Sequence, residues 1–507
     1  MSDVVFVGGG GEGYGTRQHL LLGYANRHGL LAGATGTGKT VTLQILAEEF
    51  SSAGVPVFMA DVKGDLSGIA AAGSEGHKLH EPFAARARTI GFDLVYQQFP
   101  VTFWDVLAQQ GAPIRATVAE MGPLLLSRLL ELSEAQEGVL NVAFRLADEE
   151  ELPLLDLHDL RALLTFIARN VAEIGARYGL VSTASVGAIQ RQLLVLENQG
   201  GHAMFGEPAL DLDDLMRRDG AGRGMINLLA ADRLIHTPRL YATFLLWLLS
   251  ELFETLPEVG DPERPRLVFF FDEAHLLFAD APKALVAKVE QVARLIRSKG
   301  VGVYFITQNP ADVPEMILGQ LGNRIQHALR AFTARDQRDL AKAAETYRPN
   351  PRFGVAEVIR ELGTGEAVTS FLENKGVPGI AERTLIRPPQ SQLGPLDPAL
   401  RAGLMASSPM QAKYGTPFDR DSAYERLRAR EKAAAEAAPA APARDDGHTF
   451  GRRWDGGRQV AAAPARRAAG RSDSIGAAFA KSFARQVGSR TGQAVVRGIL
   501  GSLFKGR

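Results

Sequence analysis

The stretch that decides the fold is Gly33-Ala34-Thr35-Gly36-Thr37-Gly38-Lys39-Thr40. An apolar run precedes it, and residues with helical periodicity follow it from Val41. Strand, glycine-rich loop and helix in this order predict a phosphate-binding P-loop. Its glycines let successive backbone N–H groups face phosphate oxygens, and the amino end of the helix adds positive potential. We expect residues 33–41 to bind ATP, with Lys39 at the β- and γ-phosphates and Thr40 on Mg²⁺.

A second site lies far downstream, where the apolar run Leu267-Val268-Phe269-Phe270-Phe271 ends in Asp272 and Glu273. A continuous apolar run is typical of a parallel strand buried on both faces. Its carboxyl end is where a P-loop enzyme holds its Mg²⁺, which assigns Asp272 to the metal. We expect the adjacent Glu273 to act as the catalytic base that deprotonates the attacking water. ATP hydrolysis is therefore the basic interpretation.

A third apolar run, residues 301–307, ends in Gln308-Asn309-Pro310. An amide at this strand end is in the right place to touch the γ-phosphate or the attacking water. Gln308 is thus either a catalytic sensor of the nucleotide or an ordinary polar residue at the end of a strand. The sequence leaves both interpretations open.

Composition limits the class of protein. The chain has 507 residues, with 46% hydrophobic and 22% charged residues, as in soluble globular proteins. It has no cysteine, which excludes disulfides, thiolate metal sites and cysteine nucleophiles. We find neither a signal sequence nor an apolar run approaching the ~20 residues of a membrane span, so we expect a cytoplasmic protein without an integral membrane segment.

Patterns along the chain predict five regions. We expect an N-terminal extension over residues 1–24, in which the glycine cluster Gly8 to Gly13 forms a flexible turn. A P-loop ATPase domain follows over residues 25–388, with an inserted helical subdomain at about 105–219, where leucines recur at helical spacing. A C-terminal extension spans residues 389–430. An Ala-, Pro- and Arg-rich linker over residues 431–471 is expected to be disordered, although its first residues are also able to prolong a preceding helix.

The last region, residues 472–507, is predicted to be a basic amphipathic helix. Residues 451–507 contain twelve Lys and Arg against two Asp and Glu, so the rest of this neutral chain is acidic. The helix either docks on an acidic partner, nucleic acid or an anionic membrane, or it packs back onto the ATPase body or pairs with its neighbours.

Taken together, the motifs resemble the HerA/FtsK superfamily of motor ATPases, and most closely its bacterial HerA-helicase-like members. The resemblance covers about residues 25–388 and is carried by five short segments. These are Ala25-Asn26-Arg27-His28-Gly29 before the P-loop, Asp61-Val62-Lys63-Gly64-Asp65-Leu66, Pro100-Val101-Thr102-Phe103-Trp104-Asp105, Phe271-Asp272-Glu273-Ala274-His275 and Thr307-Gln308-Asn309-Pro310. The fold expected from this resemblance is a RecA-like α/β P-loop ATPase of the additional-strand, catalytic-glutamate type, with at least one strand between the P-loop strand and the Asp272 strand.

The resemblance also implies an assembly. In that superfamily the ATP site lies between the subunits of a hexamer, and an arginine before the sensor strand reaches the neighbour's phosphate. Arg297 matches this position and Arg294 is the second candidate, while a solvated helix face is the alternative for both. DNA and a nuclease or other protein partner are implied in the same way. HerA-type motors carry a β-barrel ahead of the ATPase, whereas about thirty residues precede the P-loop here.

Two functions follow as expectations. The first is an oligomeric ATPase motor that translocates or remodels DNA. The second is an ATP-driven protein-remodelling switch or scaffold that is recruited through the basic C-terminal helix. The acidic body weakens the case for DNA, because neutralising phosphates requires Lys and Arg.

Overall fold

A twelve-stranded mixed sheet organises the chain in the computed structural model, which describes residues 3–278, 283–331, 333–418 and 420–437. Its strands are β1 (Val4–Gly10), β2 (Thr16–Leu21), β3 (Gly29–Ala32), β4 (Val57–Asp61), β5 (Val101–Asp105), β6 (Ala112–Pro113), β7 (Ile226–Ala230), β8 (Leu267–Phe271), β9 (Val301–Thr307), β10 (Asn323–Gln326), β11 (Glu366–Ser370) and β12 (Glu382–Ile386).

The helices lie on both faces of this sheet. They are α1 (Lys39–Ser52), α2 (His80–Thr89), α3 (Val118–Leu129), α4 (Glu134–Glu149), α5 (Leu157–Arg169), α6 (Val171–Tyr178), α7 (Thr183–Asn198), α8 (Pro238–Thr255), α9 (His275–Phe278), α10 (Lys283–Leu295), α11 (Glu315–Leu318), α12 (Ala334–Glu345), α13 (Val355–Glu361), α14 (Pro398–Ala406), α15 (Pro409–Tyr414) and α16 (Ala423–Ala437).

The strand order is β2-β1-β12-β11-β10-β3-β9-β8-β4-β7-β5-β6. From β10 to β6 neighbouring strands run parallel, and from β10 back to β2 they run antiparallel. Strand β9 lies between the P-loop strand β3 and the Asp272 strand β8. The predicted RecA-like arrangement with an additional strand is therefore confirmed.

The apolar run of β8 is explained by cover on both faces of the sheet. Leu267, Phe269 and Phe271 belong to the core on one face, together with helices α3 to α8. Val268 and Phe270 belong to the core on the other face, together with α1. Because side chains alternate between the two faces of a strand, a strand covered on both sides must be apolar at every position.

The region between β6 and β7 is helical, with α3 to α7 following one another between short irregular segments. Helix α3 packs on α8, and helix α5 packs on α16. This region therefore contacts both a helix that covers the sheet and the last helix of the described chain.

The prediction of a flexible turn over Gly8 to Gly13 is wrong for its first half. Gly8, Gly9 and Gly10 form the end of β1, which pairs with both β2 and β12. Glycine is needed at these positions because neighbouring main chain lies very close to β1. A Cβ on Gly8 would lie 2.2 Å from the Leu385 carbonyl oxygen, and one on Gly9 would lie 2.0 Å from the Tyr14 carbonyl oxygen.

Helix α16 continues to Ala437, so the first residues of the predicted linker are helical. The remainder of the linker and the predicted basic helix at residues 472–507 lie outside the described residues. Among the described helices, none is both long enough and apolar enough to cross a membrane.

Candidate functional site

The P-loop is fixed by backbone hydrogen bonds to the strands on either side of β3. The Gly33 N–H donates to the Thr307 carbonyl at the end of β9 (3.3 Å), and the Ala34 N–H donates to the Ala328 carbonyl after β10 (2.8 Å). Gly36 and Gly38 have φ angles of 78° and 112°, which only glycine adopts without strain. Thus the loop conformation follows from the three strands and from its own glycines.

The P-loop rests on the buried imidazole of His327. Its Nε2 lies 2.9 Å from the Thr42 hydroxyl, and its Nδ1 lies 2.8 Å from the Glu366 carbonyl oxygen. A Cβ on Gly33 would come within 2.5 Å of the His327 side chain, so the first P-loop glycine makes room for this ring. Burial lowers the pKa of His327 to about 4, which keeps the ring neutral. No sequence motif indicated this histidine.

Lys39 begins α1 and folds back over its own loop. Its ammonium group donates to the carbonyl oxygens of Gly33 and Ala34. Burial and the neighbouring Lys63 lower the pKa of Lys39, while the carboxylates of Glu273 and Asp272 oppose this shift. The predicted phosphate ligand and the two predicted carboxylates are therefore near enough to interact.

Asp272 follows β8 at the same edge of the sheet. Burial and the Glu273 carboxylate raise its pKa to about 7, against the pull of Lys63 and Lys39. The hydroxyl of the fully buried Tyr241 donates to the Asp272 backbone carbonyl at 2.8 Å. Tyr241 lies in α8 and fixes the start of this turn, a role that the sequence did not reveal.

Glu273 has a left-handed backbone conformation, with φ of 48°. Such strain in a residue other than glycine persists only where neighbours enforce it. Here its N–H donates to the Asp272 carboxylate at 2.9 Å, and the next N–H, of Ala274, donates to Ile306 in β9. The Glu273 carboxylate in turn accepts from the Gln308 amide at 3.4 Å. His275 Nδ1 lies 3.4 Å from the same carboxylate oxygen.

Lys63 is a further positively charged residue at this edge of the sheet. It lies in the motif Asp61 to Leu66, but the sequence alone does not assign it a role. It follows β4, the neighbour of β8, in a turn held by the buried Asp61 carboxylate. That carboxylate accepts from the N–H groups of Asp65 (2.9 Å) and Leu66 (3.2 Å). The turn leaves Lys63 exposed and within electrostatic reach of both Asp272 and Lys39.

Arg297 is not part of this cluster. It precedes β9, at the opposite edge of the sheet from the P-loop, and its guanidinium forms a bidentate ion pair with Asp261 (2.7 and 2.9 Å). Arg294, at the end of α10, is exposed at that same edge. Neither arginine serves the site of its own chain.

A pocket of about 200 Å³ opens beside the start of the P-loop. Its lining combines loop, strand-end and helix residues: Ala34, Thr35, Gln308, Asn309, Leu329, Arg330, Asp336 and Asp339. The Asn309 amide donates to Asp339 of α12 at 3.0 Å, which links the end of β9 to that helix.

Comparisons with known proteins bear on the fold and on the family of this chain. Among solved structures, VirB4 of Thermoanaerobacter pseudethanolicus matches with a TM-score of 0.50 and 14% identity, over 76% of this chain and 97% of that one. The bacterial conjugative coupling protein TrwB in its unbound form matches with a TM-score of 0.47 and 16% identity, over 75% and 89% of the two chains. TrwB in complex with ADP and Mg²⁺ matches with a TM-score of 0.44 and 17% identity, over 74% and 88%.

The likeness to VirB4 shows the fold and no more. No curated protein matches the chain significantly. The sequence model of the family described as "Helicase HerA-like C-terminal" matches residues 11–507, which is nearly the whole chain. The resemblance inferred from the motifs is thereby confirmed, and the chain belongs to the helicase HerA-like C-terminal family of P-loop ATPases.

Proposed function

We propose that this protein is an ATP-hydrolysing oligomeric motor that translocates or remodels DNA. The observation that carries the proposal is the convergence of Lys39, Asp272 and Glu273 at the carboxyl edge of one parallel sheet. A module that only binds phosphate needs the lysine and the loop. Hydrolysis also requires a general base, and Glu273, which is hydrogen-bonded to both Asp272 and Gln308, is placed to supply it.

The residues present fit MgATP. Mg²⁺ prefers a few oxygen ligands and retains several waters, and the Thr40 hydroxyl and the Asp272 carboxylate are donors of this kind. The raised pKa of Asp272 reflects burial beside another carboxylate, an environment that a divalent cation would neutralise. A bound Mg²⁺ supplies charge neutralisation at the β- and γ-phosphates.

In this proposal, each of the protein's own groups has a separate role in hydrolysis. Glu273 takes a proton from the water whose oxygen attacks the γ-phosphorus, while the bond from that phosphorus to the β–γ bridging oxygen breaks. Gln308 orients the Glu273 carboxylate through its amide. Lys39, with Lys63 nearby, opposes the negative charge that develops on the phosphoryl group. ADP and phosphate are the products.

The position of Arg297 supports a site shared between subunits. An arginine at the amino edge of the sheet has no access to the phosphates bound at the carboxyl edge of the same chain, so any catalytic contact must be made in a neighbour. Arg297 carries the trans-acting role in this proposal, with the exposed Arg294 as the alternative. The active form is then a ring, a hexamer by family resemblance.

DNA as the substrate is supported by family membership and by one surface. Helix α12 exposes Arg335, Arg338 and Lys342 at the spacing of one helix face. Asp339 borders this face, 3.9 Å from Arg335, and lines the pocket beside the P-loop. A basic face connected through Asn309 to the end of β9 is suited to couple phosphate chemistry to a polyanion.

The test is the steady-state ATPase rate with and without single- and double-stranded DNA, together with the mass in solution. The proposal predicts stimulation by DNA, an oligomer, and loss of stimulation when Arg335, Arg338 and Lys342 are replaced by Ala. The exposed Arg145, on α4 in the helical region, supplies a matched control as Arg145→Ala. ATP turnover by an oligomer that DNA leaves unchanged would favour the protein-remodelling switch.

A further inference from the structure

The two ends of the P-loop face different walls of the site. Its start, at Ala34 and Thr35, shares the pocket with Gln308 and Asn309. Its end lies against the loop that precedes β11, where the Gly365 N–H donates to the Thr37 carbonyl at 3.0 Å. A triphosphate lying along the P-loop with its γ-phosphate toward Glu273 therefore directs its nucleoside toward the Gly365 side.

The loop at that side, Gly363 to Glu366, is held firmly. The Arg86 guanidinium of α2 donates to the Thr364 carbonyl at 3.2 Å, and the Ile386 N–H donates to the Gly365 carbonyl at 2.9 Å. Gly365 has a φ of 79°, and a Cβ there would lie 2.2 Å from Arg86. The loop is thus tied to α2 and β12, and its residues Gly363 and Thr364 are exposed.

Tyr14 reaches this wall from the turn between β1 and β2. Its hydroxyl donates to the Glu366 carboxylate at 2.5 Å. That carboxylate is already satisfied by Arg383 (2.8 Å) and by the Gly363 N–H (2.8 Å), so the tyrosine is not needed to neutralise it. Tyr14 also has a left-handed φ of 61°, which is unfavourable for an aromatic residue.

Tyr14 is thus hydrogen-bonded to the loop that contacts the end of the P-loop, and a nucleotide base is a ligand that stacks on an aromatic ring. We propose that Tyr14 and the Gly363–Glu366 loop form the binding site for the base of the nucleotide, with the Tyr14 ring stacking on the base. This inference rests on the proposed function. It also assigns a purpose to the glycines of β1, because Gly9 allows the Tyr14 carbonyl to approach the strand.

The test compares ATP with inorganic tripolyphosphate, which lacks the base, as ligands of the full-length protein in a calorimetric titration. Tyr14→Ala is expected to weaken ATP binding roughly tenfold, as for loss of one base–aromatic stack, and to leave tripolyphosphate binding unchanged. The exposed Tyr424 of α16 supplies the control, and Tyr424→Ala should leave both affinities unchanged.

A second variant keeps an aromatic ring at this position and reports on it directly. Tyr14→Trp should show fluorescence that changes on addition of ADP and stays constant on addition of tripolyphosphate. If Tyr14→Ala weakens both ligands equally, or neither, and the fluorescence of the Tyr14→Trp variant does not distinguish them, the base site is wrong. If the wild-type chain binds neither ligand, the proposed function fails, which is a distinguishable result.

Discussion

The Gln308 amide nitrogen lies 3.4 Å from a carboxylate oxygen of Glu273, across the ends of the adjacent parallel strands β9 and β8. This contact joins the residue expected to activate water to the residue that follows the neighbouring strand. It also continues through Asn309 to Asp339 of α12. The end of β9 therefore links Glu273, the proposed catalytic base, to helix α12 at the surface of the molecule.

Gln308→Ala should lower ATP turnover roughly 10²-fold, the scale for removing one positioned donor in an active site. Affinity for ATP should stay near that of the wild type, because the P-loop contacts are unchanged. Turnover is measured by phosphate release and affinity by calorimetric titration. Unchanged turnover would show that Gln308 is an ordinary polar residue at the end of a strand.

Arg297→Ala should abolish most activity when all subunits carry it. Mixing Arg297→Ala subunits with Glu273→Gln subunits should restore part of the activity, because some interfaces then pair an intact Glu273 with an intact Arg297. The same mixture made with Arg294→Ala tests the alternative arginine. Mixed oligomers verified by mass that recover nothing in either mixture count against a shared site.

His327→Gln should change how stability depends on pH. The pKa of His327 is about 4 in the folded chain, below its ordinary value of 6.5, so only the unfolded state takes up a proton between these values. The wild type should therefore lose free energy of unfolding relative to the variant as pH falls from 7 toward 4. Parallel urea-unfolding curves at each pH check this, and a constant difference between the two proteins would contradict it.

Arg387→Met should destabilise the fold by about 3–5 kcal/mol, the usual cost of leaving a buried carboxylate unpaired. Arg387 is completely buried and forms ion pairs with Glu48 (2.9 Å) and Glu49 (3.2 Å) of α1, the P-loop helix. Adding Glu48→Gln should recover part of the loss in urea unfolding. Additive losses in the double variant would show that the two side chains act independently.

Local sequence patterns predicted the centre of the fold and most of the candidate site. The P-loop, the Asp272–Glu273 turn and Gln308 each follow an apolar strand directly, so short segments contain the information. The antiparallel part of the sheet, from β11 to β2, is harder to predict from sequence. Nothing in the sequence predicts β12, and the glycine cluster wrongly predicts a turn at Gly8. Pairing such as that of Gly8 with Ile386 depends on residues far apart in the chain.

The supporting residues of the site were missed for a similar reason. His327, Tyr241 and Tyr14 act through contacts with segments distant in sequence, and none belongs to a motif. Lys63 belongs to the motif Asp61 to Leu66, but its place near Asp272 depends on the pairing of β4 with β8. The five-region division of the chain stays a prediction.

The most direct test of ATP hydrolysis at this site is ATP turnover by the wild type, Glu273→Gln and Lys39→Ala with Mg²⁺, measured alongside ATP binding. We expect the wild type to hydrolyse ATP, and Glu273→Gln to bind ATP normally while losing roughly 10²–10⁴-fold in turnover, as for loss of a general base. Lys39→Ala should weaken ATP binding itself. Hydrolysis by Glu273→Gln at close to the wild-type rate would contradict the assignment of Glu273 as the catalytic base.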